Sequence, residues 1–115
     1  MSTVTTHVLD TARGVPAAGV PIRMERLGPD GTVDPVAQGV TDDDGRIRDL
    51  GPDDLAAGVY RLTFDTGRYA AATGQENFFP EVSIVFNLRA EGGSVPHHHV
   101  PLLLSPFHYS TYKGS

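Results

Sequence analysis

Alternation of apolar with polar residues runs through most of this chain, interrupted by turn-forming residues roughly every eight to twelve positions. Residues 3–10 place Val4, Thr6 and Val8 on one side of an extended segment and Thr5, His7 and Leu9 on the other. The same pattern recurs over 22–27, where Ile22 and Met24 oppose Arg23 and Glu25, and over 33–40, which reads as the returning strand of a hairpin. Gly28-Pro29-Asp30-Gly31, Asp42-Asp43-Asp44-Gly45 and Gly51-Pro52-Asp53-Asp54 are turns by chemistry, since Pro fixes φ and Gly supplies positive φ. Tyr60, Leu62 and Phe64 share one strand face, and Val82, Ile84, Phe86 and Leu88 mark the clearest strand. Further strands are predicted over 95–104 and 109–113, and Arg46, directly after a turn glycine, is expected to begin another. Only residues 68–73 look helical, with Gly74 as the stop. The prediction is an all-β, two-sheet sandwich of roughly seven to eight strands with one short helix.

Length and composition narrow the possibilities. At 115 residues the chain is expected to form a single domain over 1–115 with a core large enough to need no covalent staples. It contains no cysteine, which excludes disulfides, thiol chemistry and Cys-ligated zinc. Thirteen Gly and nine Pro, scattered rather than clustered, fit many tight turns. A formal charge of −5 disfavours an electrostatic nucleic-acid partner. No apolar run approaches the roughly 18–20 residues of a membrane span, and the first residues lack the pattern of a secretory leader. A cytoplasmic chain with neither nucleic-acid nor membrane partner is the expectation.

The five histidines are unevenly placed, at 7, 97, 98, 99 and 108. In a strand His97 and His99 point to one face and His98 to the other, so the first two can converge with His7 from another strand. Two readings follow: an acid–base site, because imidazole takes and gives protons near neutral pH, or a metal patch on a polar edge. Arg46 offers a fixed fork of donors for a planar, carbonyl-rich ligand, or is simply a surface charge. The 42–45 stretch fails the calcium-loop spacing, since Gly51 stands where a bidentate Glu is needed, and reads as an acidic turn. The aromatic, β-prone ending Tyr109-Ser110-Thr111-Tyr112-Lys113-Gly114-Ser115 suggests a terminus tied down rather than frayed.

Several blocks together resemble one family. Thr6-His7-Val8-Leu9-Asp10-Thr11-Ala12-Arg13-Gly14, Gly45-Arg46, Phe78-Phe79-Pro80-Glu81-Val82, His97-His98-His99-Val100-Pro101-Leu102-Leu103-Leu104-Ser105-Pro106 and the terminal Tyr112-Lys113-Gly114-Ser115 are similar, in order and over the whole chain, to transthyretin-like proteins. Within that family the set of His7, Arg46, His97, His99 and the terminal tetrad resembles the 5-hydroxyisourate hydrolase branch rather than the hormone-carrying one. Two departures stand out. His98 replaces a Tyr and is expected to face away from the site, and Lys113 replaces an Arg, keeping the charge but losing the fork.

The resemblance implies a cytoplasmic homotetramer, a dimer of dimers with sites between dimers, acting in urate (purine) catabolism without cofactor or metal. The implied reaction is hydrolytic ring opening of 5-hydroxyisourate, a small-molecule substrate, to 2-oxo-4-hydroxy-4-carboxy-5-ureidoimidazoline. It implies catalytic roles for His7, Arg46, His97, His99 and Ser115, and substrate binding by His7, Arg46, Tyr112, Lys113, Gly114 and Ser115. Which histidine is the base, and whether Ser115 does more than hydrogen-bond, stay open at this level. So do two readings from other classes: a carrier using the same channel, and a metal centre on His7, His97 and His99.

Overall fold

The computed structural model describes residues 2–115. Eight strands and one helix follow in the order β1 (Val4–Asp10), β2 (Val15–Pro16), β3 (Pro21–Leu27), β4 (Val33–Val40), β5 (Gly58–Phe64), α1 (Thr66–Thr73), β6 (Val82–Leu88), β7 (His98–Leu104) and β8 (Tyr109–Thr111). They form two four-stranded sheets, ordered β2-β1-β7-β8 and β4-β3-β5-β6. All pairings are antiparallel except β1 with β7. The predicted sandwich with one short helix is what the chain forms.

Alternation explains how the sheets close on each other. Val4 and Val8 of β1, Met24 of β3, Tyr60, Leu62 and Phe64 of β5, and Leu102 of β7 are nearly or fully inaccessible and share one core. Burying large side chains of this kind stabilises by about 1.5–3 kcal/mol each, the main force holding the sheets face to face. Thr6 also points inward; its hydroxyl donates to the carbonyl of Val100, so the buried oxygen is not left unpaired. Helix α1 begins at Thr66, two residues before the predicted start at 68, because the Asp65 carboxylate accepts from the Arg68 amide. Gly74 ends it in the left-handed conformation, as expected.

Three boundaries differ from the sequence expectation. The segment predicted as a strand from residue 95 joins the sheet only at His98, since Pro96 has no amide to donate and restricts Val95 before it. The last strand stops at Thr111 rather than 113, although the chain returns at Gly114, whose amide donates to the His99 carbonyl at 2.8 Å. Arg46 does not open a strand; it makes a single bridge to His7 and sits in the long loop between β4 and β5. That loop is pinned by buried Leu50 and by bonds from Ser2 Oγ to the Gly51 carbonyl and from the Thr3 amide to that of Pro52. Long connections of this sort inside compact folds are usually functional.

Candidate active site

The parallel register of β1 and β7 creates the site. Val4 pairs with His98, Thr5 with His99 and His7 with Pro101. Residues of like parity share a face, so Thr5, His7 and His99 look outward while Val4, Thr6, His98 and Val100 look into the core. His98 is buried, with Nδ1 2.8 Å from the Pro96 carbonyl and Nε2 accepting from the Arg89 amide. The predicted separation of His98 from its two neighbours therefore holds. Pro101 sits in the ladder with no register shift.

On the outer face the rings of His97 and His99 stack with centroids 6.3 Å apart. Between them lies the Thr5 hydroxyl, 2.7 Å from His97 Nε2 and 2.8 Å from His99 Nδ1. His99 is held below the ordinary imidazole range, first by its burial and then by the nearby charges of His97, His7 and Arg46. A histidine so placed is neutral at neutral pH and ready to accept a proton. His7 lies one bridge away, its Nε2 2.8 Å from the Asp44 carbonyl. A carbonyl only accepts, so Nε2 carries the hydrogen, and in the neutral ring Nδ1 keeps the lone pair.

Arg46 is delivered by the turn before it. The Asp42 carboxylate accepts from the amides of Asp44 and Arg46, and those bonds, the Arg46 amide first, hold its pKa below the usual carboxylate value. The Gly45 carbonyl accepts from the Val8 amide at 2.8 Å. At φ +76°, a side chain on Gly45 would run into the Val8 carbonyl oxygen, so only glycine lets this turn press against β1. The acidic 42–45 stretch is thus a turn that aims an arginine.

A hollow of about 340 Å³ brings together Thr5, Arg46, Arg48, His97, His99 and Ser115, a volume suited to a small heterocycle. Gly114 packs on His99 so closely that a Cβ would fall 2.6 Å from its ring. The absence of a side chain at Gly114 is thus what lets the terminal segment lie against the imidazole. Tyr112 and Lys113 line a second hollow of similar size with Phe86, Asn87 and His99, so His99 belongs to both. The fold of one chain therefore gathers His97, His99, Arg46 and Ser115 in one hollow, with His7 adjoining, while Tyr112 and Lys113 meet His99 in the second.

Sequence reading missed Thr5 and Arg48. Thr5 lies two residues before His7 on the same strand face, and that spacing is the signal that marks it. Arg48 adjoins Arg46 in a loop that has no period to read; its guanidinium is largely exposed and 3.7 Å from Asp42. Among the described residues, no three His, Asp or Glu side chains are grouped to hold a metal ion. Among the same residues, no helix is long and apolar enough to cross a membrane.

Comparison with known proteins agrees with this geometry. The model of the HIUase/Transthyretin family matches residues 4–114. The chain is 46% identical to 5-hydroxyisourate hydrolase of Mus musculus, with 99% of this chain and 96% of the relative covered. The structure of Klebsiella pneumoniae 5-hydroxyisourate hydrolase superposes with a TM-score of 0.84 at 38% identity, each chain fully covered. Sea bream transthyretin in complex with thyroxine superposes with a TM-score of 0.89 at 35% identity, covering 97% of this chain and 94% of that one. A hydrolase and a thyroxine-bound transthyretin thus resemble this backbone almost equally, so backbone shape does not distinguish them. Matched nearly end to end by a single family model and by relatives of such identity, the chain belongs to the HIUase/Transthyretin family.

Proposed function

We propose that this chain is a hydrolase that opens the ring of 5-hydroxyisourate with water, giving 2-oxo-4-hydroxy-4-carboxy-5-ureidoimidazoline. The observation that carries the reading is the pair His97 and His99 joined through Thr5 beside Arg46. A carrier needs no neutral, half-buried imidazole next to a guanidinium. The curated relatives at this identity are named for the same reaction.

The chemistry is attack of water on an acyl carbon of a cyclic amide. His99, kept unprotonated by its surroundings, takes the proton from water as oxygen approaches the carbonyl. His7, with Nδ1 free, orients that water from the neighbouring strand. The Arg46 fork holds the substrate's planar carbonyl edge and stabilises the oxyanion as it forms. Ser115, in the same hollow, hydrogen-bonds the heterocycle; among the described residues its hydroxyl has no hydrogen bond to a histidine that would make it a nucleophile. Gly114 holds the terminal segment against His99.

Tyr112 and Lys113 bind substrate beside His99 in a cytoplasmic homotetramer, at hollows that neighbouring copies cover. Two features support that assembly. Two of the sheets' edge strands, β6 and β8, have backbone groups without a partner strand, and the hollow that Tyr112 and Lys113 share with His99 lies beside those edges. The decisive experiment follows freshly generated 5-hydroxyisourate by ultraviolet absorbance with and without the protein, in the presence and absence of EDTA. Decay accelerated equally under both conditions is expected. Decay at the spontaneous rate overturns the assignment, and activity lost to EDTA and restored by zinc overturns the imidazole mechanism.

A further inference from the structure

We propose that the Thr5 hydroxyl joins His97 and His99 into one proton relay, which carries the proton taken from water out to His97 and returns it for the leaving nitrogen. The inference rests on the hydrolytic reading above and deepens it. Its ground is geometric. The hydroxyl lies within 2.7 Å of His97 Nε2 and 2.8 Å of His99 Nδ1, and it has a single hydrogen. With both rings neutral, a hydroxyl that donates to one nitrogen accepts from the other, so the two tautomers are locked to each other. One arrangement leaves His99 Nε2 with a lone pair; the opposite arrangement leaves it with a hydrogen.

Those two arrangements are the base and the acid the reaction needs. At the start His99 carries its hydrogen on Nδ1, donating to Thr5, and Thr5 donates to His97 Nε2. As water attacks, its O–H bond breaks and an N–H bond forms at His99 Nε2. The Nδ1 hydrogen passes to Thr5 Oγ1, and the original hydroxyl hydrogen passes to His97 Nε2. His97, now protonated on both nitrogens, carries the positive charge, while His99 is neutral and holds a hydrogen on Nε2. When the amide C–N bond breaks, that hydrogen goes to the leaving nitrogen and the chain of transfers runs backward. Every proton is accounted for and the starting tautomers are restored.

The surroundings favour this direction. His97 is exposed and His99 is half-buried beside Arg46 and His7, so a positive charge is better tolerated on His97. Thr5 is held in the ladder opposite His99, and its β-branched side chain has little rotamer freedom. Thr5 never needs to touch substrate; it acts through the two rings.

Thr5→Val keeps the shape and removes the hydroxyl, whereas Thr5→Ser keeps the hydroxyl. We expect Thr5→Val to lower kcat by about ten- to a hundredfold and Thr5→Ser to stay within about threefold of the parent. A proton inventory in mixed light and heavy water should be curved for the parent and linear for Thr5→Val, a change that a packing defect does not produce. Unchanged kcat in Thr5→Val, or equal impairment in both variants, overturns the relay. Independent of turnover, ring ¹⁵N titration of the parent protein should show protonation of either histidine moving the resonances of both. Independent titration of the two rings overturns the relay even if the substrate assignment stands, whereas linked titration without hydrolysis would overturn only the substrate.

Discussion

Thr5 and His7 leave β1 on its outer face, whereas Asp10, at the end of the same strand, turns inward beneath α1. Asp10 is almost fully buried, yet three donors surround it: Tyr69 Oη at 2.6 Å and Gln75 Nε2 at 2.9 Å on Oδ2, and the Arg13 amide at 3.0 Å on Oδ1. Burial, the largest single influence, pushes its pKa up, but the combined bonds outweigh it and the carboxyl ends below its ordinary value. Burial and the bond to Asp10 push the Tyr69 phenol the other way. At the outer face, burial of His99 is not offset by a comparable set of acceptors for the imidazolium, so the neutral base results. Both regions contain a titratable group taken partly out of water. Saturating the carboxylate with donors makes an inert clamp that ties the helix to the sheet, and leaving the imidazole short of acceptors for its charged form makes a reactive base.

Removing the base should have the largest effect. His99→Ala and His7→Ala are each expected to lower kcat/KM by ~10²-fold or more with an unchanged melting temperature, measured by absorbance decay and calorimetry on the same sample. A melting temperature that falls in step with activity would make the outer face structural like the inner one. Asp10→Ala should do the reverse. It strands the Tyr69 hydroxyl and the Gln75 amide, costing about 2–4 kcal/mol in a urea titration while kcat of the folded fraction changes less than about threefold. Collapse of kcat in a variant that remains folded would show the two regions to be coupled.

Gly114→Ala probes the boundary between structure and chemistry. The new methyl collides with the His99 ring, so kcat should fall by about tenfold while stability drops by only about 1 kcal/mol. An unaffected kcat would mean the ring has room to move aside.

Acid sharpens the contrast. Activity through His99 should rise with pH to a plateau whose midpoint lies below about 6.5, because the depressed base deprotonates early. The same depression means the unfolded chain binds more protons than the folded one between His99's folded pKa and that value, so stability should ease slightly across that window on acidification. Asp10 stabilises fully above the unfolded carboxylate pKa of about 3.9, and its contribution is lost as pH falls through its lower folded value. A pH–activity midpoint above the ordinary imidazole range would contradict the neutral-base assignment.

The smallest effect is expected from His98→Tyr, which alters a side chain on the core face. With its two bonds confined to the Pro96 carbonyl and the Arg89 amide, kcat should stay within about twofold in the same absorbance assay. A loss comparable to that of His99→Ala would refute the face assignment of the whole strand.

Period-2 alternation in residues 3–10 and 95–104 indicated which side chains reach the core and which reach water, and so put His7, His97 and His99 on faces that can converge. A one-residue slip would reverse every face, which is why local pattern carries that information. Turn chemistry likewise determined Gly45 and its arginine. Pairing between distant strands carries no such local mark. Only the parallel register of β1 with β7 set Thr5 beside His99, and only the return of the chain at Gly114 pressed the terminus against that ring. The loop holding Arg46 and Arg48 has no period at all, and its course depends on Leu50 finding the core. Alternation is a property of neighbours along the chain, whereas register and loop closure are set by packing and hydrogen bonds between residues far apart in it, and those exist only once the sandwich has closed.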